Sequence, residues 1–210
     1  MGNFWDPLQR VTRLKRADAG REHTGGTDRL PPGQVLTLKF PVLTFGETPS
    51  ITPESWRFQV WGLVEEPKDW SWNEFLALGK QTQTCDIHCV TRWSKFDTTW
   101  TGVPFKAVIE QLRPKPGADF VLFHSYGGYT TNVPLAQLLR DDVLFAYEYD
   151  SQPLPREHGG PMRGLLPHLY LWKSAKWVRG MEFMSQDRPG FWEMYGYHML
   201  GGPWDEQRFS

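Results

Sequence analysis

The stretch "PLPREHGGPMRGLLPHLYLWKSAKWVRGMEF", residues 153–183, sets a basic, proline- and glycine-rich loop directly before a strand-like run. From Arg156 to Arg179 it carries five arginines and lysines against one acid, Glu157, with His158 and His168 among them. A loop this long in a compact chain usually carries a function. Gly159 and Gly160 remove two Cβ atoms where backbone amides could approach a ligand. Arg163 offers a planar fork for phosphate, and Ser174 and Lys176 add a hydroxyl and a compact charge. The pattern is that of a local anion site. A solvated basic loop is the competing reading, and the prolines and aromatics between the cations argue against it.

The remainder of the chain is not basic. Net charge is −1 over 210 residues, so the positive field that nucleic-acid binding uses is missing and no such partner is expected. This length allows one large domain or two small ones with a substantial core. The 11 tryptophans and 17 prolines favour a β-rich, loop-rich body over a helical bundle. No apolar run reaches the roughly 18 residues of a membrane span, so membrane insertion is not expected. Residues 1–34 hold six Arg/Lys and four Asp/Glu and end in "RLPPGQ". They read as a flexible tail, disordered or draped over the body, ahead of a single domain at 35–210. "MGNFWDPLQRVTRLKR" has neither an apolar signal core nor a twin arginine, and two cysteines make no disulfide framework. The expectation is a cytoplasmic protein with reduced thiols.

Along the domain, "WRFQVWGLV" alternates as a strand, and Ser71 and Glu74 stand at capping-box spacing ahead of a short helix. Phe105, Val108, Ile109 and Leu112 form one helical stripe. "DFVLFHS", "VLFAYEYD" and "KWVRGMEFM" read as strands, "YGGYTTNVPLAQLLRDD" as a turn and short helix, and residues 150–172 mostly as loop. The class is α+β, a mixed, barrel-like β core with short helices.

Both cysteines fall in "TCDIHCVTRWS", residues 84–94. If the segment is extended, their α-carbons lie roughly 13 Å apart at about 3.3 Å per residue, beyond the ~7 Å a disulfide tolerates. In a strand, positions four apart share a face. A structural zinc site wants four ligands, usually in two paired half-sites, whereas Cys85, His88 and Cys89 supply one cluster. Two buried, inert thiols remain the plain alternative.

"CVTRWS" followed by "PLPREHGGPMR…PHLYLWKSAKW" resembles the molybdopterin-binding domain of the sulfite oxidase superfamily. The nearest branch in look is the bacterial, haem-free one that includes the catalytic subunit of periplasmic methionine sulfoxide reductase. The resemblance spans residues 36–185. It implies that fold, a molybdenum–molybdopterin cofactor, and Cys89 as thiolate ligand of the metal with Arg92 beside it in the catalytic turn. It further implies cofactor contacts from His158, Arg163, Ser174, Ala175, Lys176 and His124. Thr44 joins them in "FPVLTF", where relatives lay a strand along the cofactor. The tyrosine that relatives keep near the metal has three candidate positions here, Phe191, Tyr195 and Tyr197.

The reaction implied is a two-electron oxygen-atom transfer on a small sulfur or nitrogen compound. The chain has no CxxCH haem motif and too few cysteines for an iron–sulfur cluster, so a separate electron-transfer partner is expected. The aromatic run "GFWEMYGYHMLGGPW" either docks that partner or caps the core. A cofactor-free interaction domain that kept the fold is the alternative function, and a zinc or purely structural protein is another.

Overall fold

The computed structural model of the chain describes residues 6–18 and 28–210, the side chains of 16–18 excepted. Within the segment read as a tail, α1 (Pro7–Asp18) is helical. Proline at the first helical position suits a turn whose N–H has no partner anyway, and Asp6 Oδ1 accepts the Leu8 amide hydrogen at 3.0 Å as N-cap. Among the described side chains of α1, Val11 is the buried one. The rest of the supposed tail, 1–5 and 19–27, lies outside the described residues.

The domain then runs β1 (Val35–Leu36), β2 (Arg57–Gly62), β3 (Lys68–Ser71), α2 (Trp72–Leu76), β4 (Gln81–His88), β5 (Trp93–Pro104), α3 (Phe105–Glu110) and β6 (Phe120–Ser125). It continues as β7 (Thr130–Pro134), α4 (Leu135–Leu138), β8 (Leu144–Tyr149), β9 (Gln152–Pro153), β10 (Arg163–Leu165), β11 (Val178–Met184) and α5 (Phe191–Met194). The expected strands are there, and so is the capping box of α2. Glu74 accepts from the Ser71 amide at 2.8 Å and from its hydroxyl at 2.6 Å. On α3 the stripe buries Phe105 and Val108, and Leu112 follows in the same core.

Two mixed sheets carry the α+β fold. The first has order β1-β5-β8-β10, with β4 also on β5 and β9 on β8; the second is β3-β2-β11-β6-β7. β1 is parallel to β5, and β11 is parallel to β2 but antiparallel to β6. Among the described residues the sheets stay open rather than closing into a barrel. Val103 and Phe145 of the first sheet share one core with Phe58, Phe123 and Phe183 of the second. That aromatic burial is the main stabilising contact between the sheets.

Three local expectations change. Residues 40–45, expected as a strand, run without strand pairing, because β1 stops after two residues and Pro41 has no N–H to give a ladder. The "TTNVP" run is strand β7 rather than turn, and part of the 150–172 loop is strand (β9, β10). In the C-terminal aromatic run Trp192 and Tyr197 are buried in a second cluster with Val11, Cys89, Tyr170 and Trp172, leaving Met194 and Trp204 exposed. Trp192 and Tyr197 thus cap that cluster from within the run.

Candidate cofactor and active site

Part of the second cluster, Cys89, Val90, Trp172, Trp192 and Tyr197, lines a cavity that opens to the surface. Six parts of the chain wall it: Arg10 from α1, the unpaired strap 40–45, the turn between β4 and β5, Tyr129 just before β7, the 158–177 loop, and Trp192 and Tyr197 around α5. Of the residues singled out from sequence, Thr44, Cys89, His158, Arg163, Ser174, Ala175 and Lys176 all line it. Residues more than 100 positions apart are thereby brought together.

Cys89 sits just past β4 in a tight turn. Its amide donates to the Trp93 carbonyl at 2.8 Å, and its carbonyl accepts from the Arg92 amide and from Gln34 Nε2. The thiol is 6% exposed and lies 3.1 Å from Thr91 Oγ1. Burial pushes the thiol up, while the Thr91 bond and the charge of Arg10 pull it back. A bulge between Cys85 and Ile87 breaks the alternation of β4. Cys85 therefore packs in a different cluster, against Ile87 and Trp100, and burial takes its thiol up to about 12. Both cysteines are free. Among the described residues no group of three His, Cys, Asp or Glu side chains could gather around a metal, which leaves the zinc reading without ligands.

The 153–176 loop works differently from its sequence-level reading. Gly159 has φ +114°, and a Cβ there would press on the Cβ atoms of Arg163 and Lys176 at 3.0 Å. A Cβ on Gly160 would run into the Leu154 carbonyl. Their amides donate to Arg156 and Pro155 carbonyls. The glycines thus let the loop pack on itself, and their amides are already engaged. Arg163, 3% exposed, donates to the carbonyls of Gly164, His158 and Ser174. Ser174 Oγ accepts the Leu166 amide hydrogen at 2.9 Å. Lys176 Nζ donates to Thr44 Oγ1 at 2.7 Å and to the Glu157 carbonyl, and His158 stacks on Phe40 with ring centres 3.8 Å apart. Those last two contacts hold the strap over the loop.

Two candidates lie elsewhere. Arg92 has φ +72°; the left-handed turn reverses the chain and sends its guanidinium to the Gly33 carbonyl at 3.1 Å, behind the cysteine turn. His124 belongs to the outer face of β6, since side chains alternate along a strand and Val121 and Phe123 take the core side. It packs on Trp61 and faces Glu182 at 3.5 Å. Residues missed from sequence are Arg10, Tyr129, Trp93 and Trp172, while Tyr197 alone of the three candidate positions near Tyr195 is both buried and on the cavity wall.

The electrostatics ask for an anion. Arg10, Arg163 and Lys176 line the cavity, and among the described residues no Asp or Glu does. Burial, then repulsion from Arg163, takes Lys176 down to about 7. Burial, then Arg163 and Lys176, takes His158 down to about 4, and burial brings Arg163 to about 10. The indole N–H of Trp93 is buried without a hydrogen-bond acceptor. Cations that share a cavity without a carboxylate among its described lining residues, and an orphaned donor, are costly on their own and are satisfied by a ligand rich in negative oxygen or other acceptors. A thiol at the centre of the wall adds a soft metal donor. The donor set fits a phosphate-bearing metal cofactor.

One pH dependence follows. An anion favours protonated Lys176, so binding takes up a proton and weakens as pH rises through about 7. Sulfate, which does not titrate in this range, should bind the cofactor-free protein more weakly above about pH 8 than below about pH 6, and Lys176→Met should flatten the profile. Calorimetric titrations at several pH values check this; a flat wild-type profile would remove Lys176 from the anion's surroundings.

A family model described as oxidoreductase molybdopterin binding domain matches residues 45–192. The chain is 45% identical over 183 residues, covering 87% of it and 92% of the relative, to uncharacterized oxidoreductase YuiH of Bacillus subtilis. It is 30% identical to the putative protein-methionine-sulfoxide reductase subunit YedZ1 of Azospira oryzae, over 81% of this chain and 66% of that one. Its fold matches the sulfane dehydrogenase SoxCD of Paracoccus pantotrophus with TM-score 0.61 at 20% identity, over 66% of this chain and 40% of that one. The chain therefore spans nearly all of the first relative and less than two thirds of the other two. With a cation-lined cavity built around a buried thiol, these likenesses place the chain in the molybdopterin-binding oxidoreductase family of the sulfite oxidase superfamily, with molybdenum–molybdopterin as its cofactor.

Proposed function

We propose that the protein is a molybdenum-dependent oxidoreductase of sulfite oxidase type. It would move an oxygen atom, with two electrons, to or from a small sulfur- or nitrogen-containing compound. The observation that carries this reading is the placement of Cys89 in a cavity with three cations and no acid among the described residues of its walls. When bound, the cofactor supplies the oxygen-atom chemistry, and the protein supplies binding, orientation and electrostatics.

In this reading Cys89 would hold the metal as a thiolate. Lys176, Arg163 and His158 hold the anionic end of the cofactor: Lys176 directly, and Arg163 as a fixed buried charge whose fork also ties the loop together. Thr44 keeps the strap, and Lys176 with it, in place. Ser174 and Ala175 shape the loop that closes on that end, Ser174 by accepting the Leu166 amide. Trp172, Trp192 and Tyr197 exclude water from the side of Cys89 that faces α1. Sulfur chemistry is supported by the protein-methionine-sulfoxide reductase subunit among the relatives. Two cysteines cannot carry an iron–sulfur cluster in this chain, which supports a separate electron-transfer partner. Unpaired Cys85 and Cys89 suit a reducing compartment, and the cytoplasm is the one we favour. No helix among the described residues is long and apolar enough to cross a membrane.

Elemental analysis of the purified protein should find molybdenum stoichiometric with the chain, and oxidative release should yield the fluorescence of a pterin. A protein expressed in a molybdenum-replete host that holds neither would sink this reading.

A further inference from the structure

The turn that carries Cys89 and the stretch that leads into β1 grip each other. Arg92, in that turn, sends its guanidinium to the Gly33 carbonyl at 3.1 Å. Its own carbonyl accepts the Val35 amide hydrogen at 2.9 Å. One residue thereby holds Gln34 from both sides along the chain. Gly33, at φ +68°, is needed for this, since a Cβ there would stand 2.7 Å from Arg92 Nη1.

Gln34 is buried, and both ends of its amide are used. Nε2 donates to the Cys89 carbonyl at 3.2 Å, and Oε1 accepts from the Ser94 hydroxyl at 3.3 Å. A carbonyl can only accept, which fixes which way round the amide sits. The Ser94 proton is then committed, so in the 2.8 Å contact between His88 Nδ1 and Ser94 Oγ the imidazole is the donor. His88, Ser94 and Gln34 therefore form a buried chain of hydrogen bonds with one direction, and it ends on Cys89. His88 and Ser94 face each other across β4 and β5, so this chain rests on the sheet rather than on a loop.

The main chain of Cys89 makes two further bonds, to the Trp93 carbonyl and from the Arg92 amide, and both stay within residues 89–93. Among the described residues, the bond from Gln34 is the one that ties it to something outside the turn. Without it the peptide plane after Cys89 could rock while the turn stayed closed. Sγ is two bonds from the main chain, so such a tilt would swing the sulfur. Groups that hold a metal ligand in this way are typically worth 10–100-fold in metal affinity or activity.

We propose that Gln34 is a positioning residue for this site and sets the direction in which Cys89 presents its sulfur to the metal. This rests on the cofactor reading above. Arg92, whose guanidinium lies behind the cysteine turn, serves the site at one remove by holding residues 33 and 35.

The test uses the holoenzyme and three variants. Gln34→Met keeps the length of the side chain and removes its amide. Ser94→Ala leaves the amide and removes what steadies it. Thr98→Val is the control, because buried Thr98 donates to the Cys85 carbonyl at 2.6 Å, also between β4 and β5. Each preparation is assayed for molybdenum, pterin and melting temperature. Its thiolate-to-metal absorption band, whose intensity follows the overlap of sulfur and metal orbitals, is recorded, and amide hydrogen exchange is followed across residues 88–93. Gln34→Met should keep molybdenum and pterin, shift or weaken the band, and speed exchange of the turn amides about fivefold. Ser94→Ala should do the same to a smaller degree. Thr98→Val should lower the melting temperature and leave the band where it is. An unchanged band in loaded Gln34→Met overturns the proposal. So does an equal shift in Thr98→Val, which would mean general loosening of β4 and β5, or a folded Gln34→Met that no longer takes up the cofactor. If Gln34→Met does not fold, Ser94→Ala decides, and an unchanged band there overturns the proposal. A wild type without molybdenum or pterin is a failure of the cofactor reading instead. Hydrogen exchange then still tests the Gln34 contact, and unchanged exchange in Gln34→Met overturns it.

Discussion

Replacing Cys89 by serine should strip the protein of molybdenum and leave its fold in place. The turn that carries Cys89 is held by main-chain bonds to Trp93 and Arg92 and by Gln34 Nε2 on its carbonyl. None of these needs sulfur. A serine hydroxyl can still pair with Thr91, so the stability change should stay within about 1 kcal/mol. The metal loses its one protein thiolate, and after dialysis its content should fall by more than an order of magnitude, as elemental analysis would show. Cys85→Ser is the control, because Cys85 packs in another cluster and its sulfur is 3.9 Å from Thr98 Oγ1. Loss of molybdenum on Cys85→Ser alone would mean the wrong thiol has been assigned.

The largest expected effect on stability lies behind the cavity. Lys173 and Glu193 form an ion pair at 2.6 Å with both side chains 0% exposed. Lys173 Nζ also donates to the Asn132 carbonyl, Asn132 Oδ1 and the Met199 carbonyl. Glu193 Oε1 accepts from Thr131 Oγ1 and Trp172 Nε1. Burial pulls the lysine down, and the adjacent carboxylate pulls it back towards its ordinary value. Lys173→Met would leave that carboxylate buried without its counter-charge, at a cost of about 3–5 kcal/mol. The double variant Lys173→Met with Glu193→Gln removes both charges and should recover a large part of the loss. Urea unfolding of the three proteins near neutral pH decides it; a single variant as stable as the wild type would show that the pair carries no net charge interaction.

Much of this architecture could be read beforehand, and the exceptions have physical causes. The 153–183 stretch was legible because cations that far outnumber the acids, set among glycine and proline, are hard to explain as solvated surface. The capping box of α2 was legible because Ser71 and Glu74 act locally. Arg10 was not, since α1 is made of charged, weakly apolar sequence and its place is set by contacts distant in the chain, Val11 and Leu14 with the second cluster and Lys15 with the Ser210 carbonyl. Arg92 was misplaced because a positive φ is a property of the finished turn. His124 was misplaced because a two-residue period says which side chains share a face and leaves open which face the site uses. The glycines of the 159–160 pair were correctly seen as special for the wrong reason: close packing of the loop on itself demands them.

The cavity is walled at one side by residues 10 and 40–45 and at the other by residues 158–197. On a ribosome the first set emerges well before the second exists. At roughly 5–20 residues per second the interval is on the order of ten seconds. During that time Arg10, Phe40 and Thr44 have no Trp192, His158 or Lys176 to meet. The parts made first must therefore seat last, like a lid fitted to a box still being built. The side of the cavity that the strap and α1 form is thereby the last to close as the chain folds.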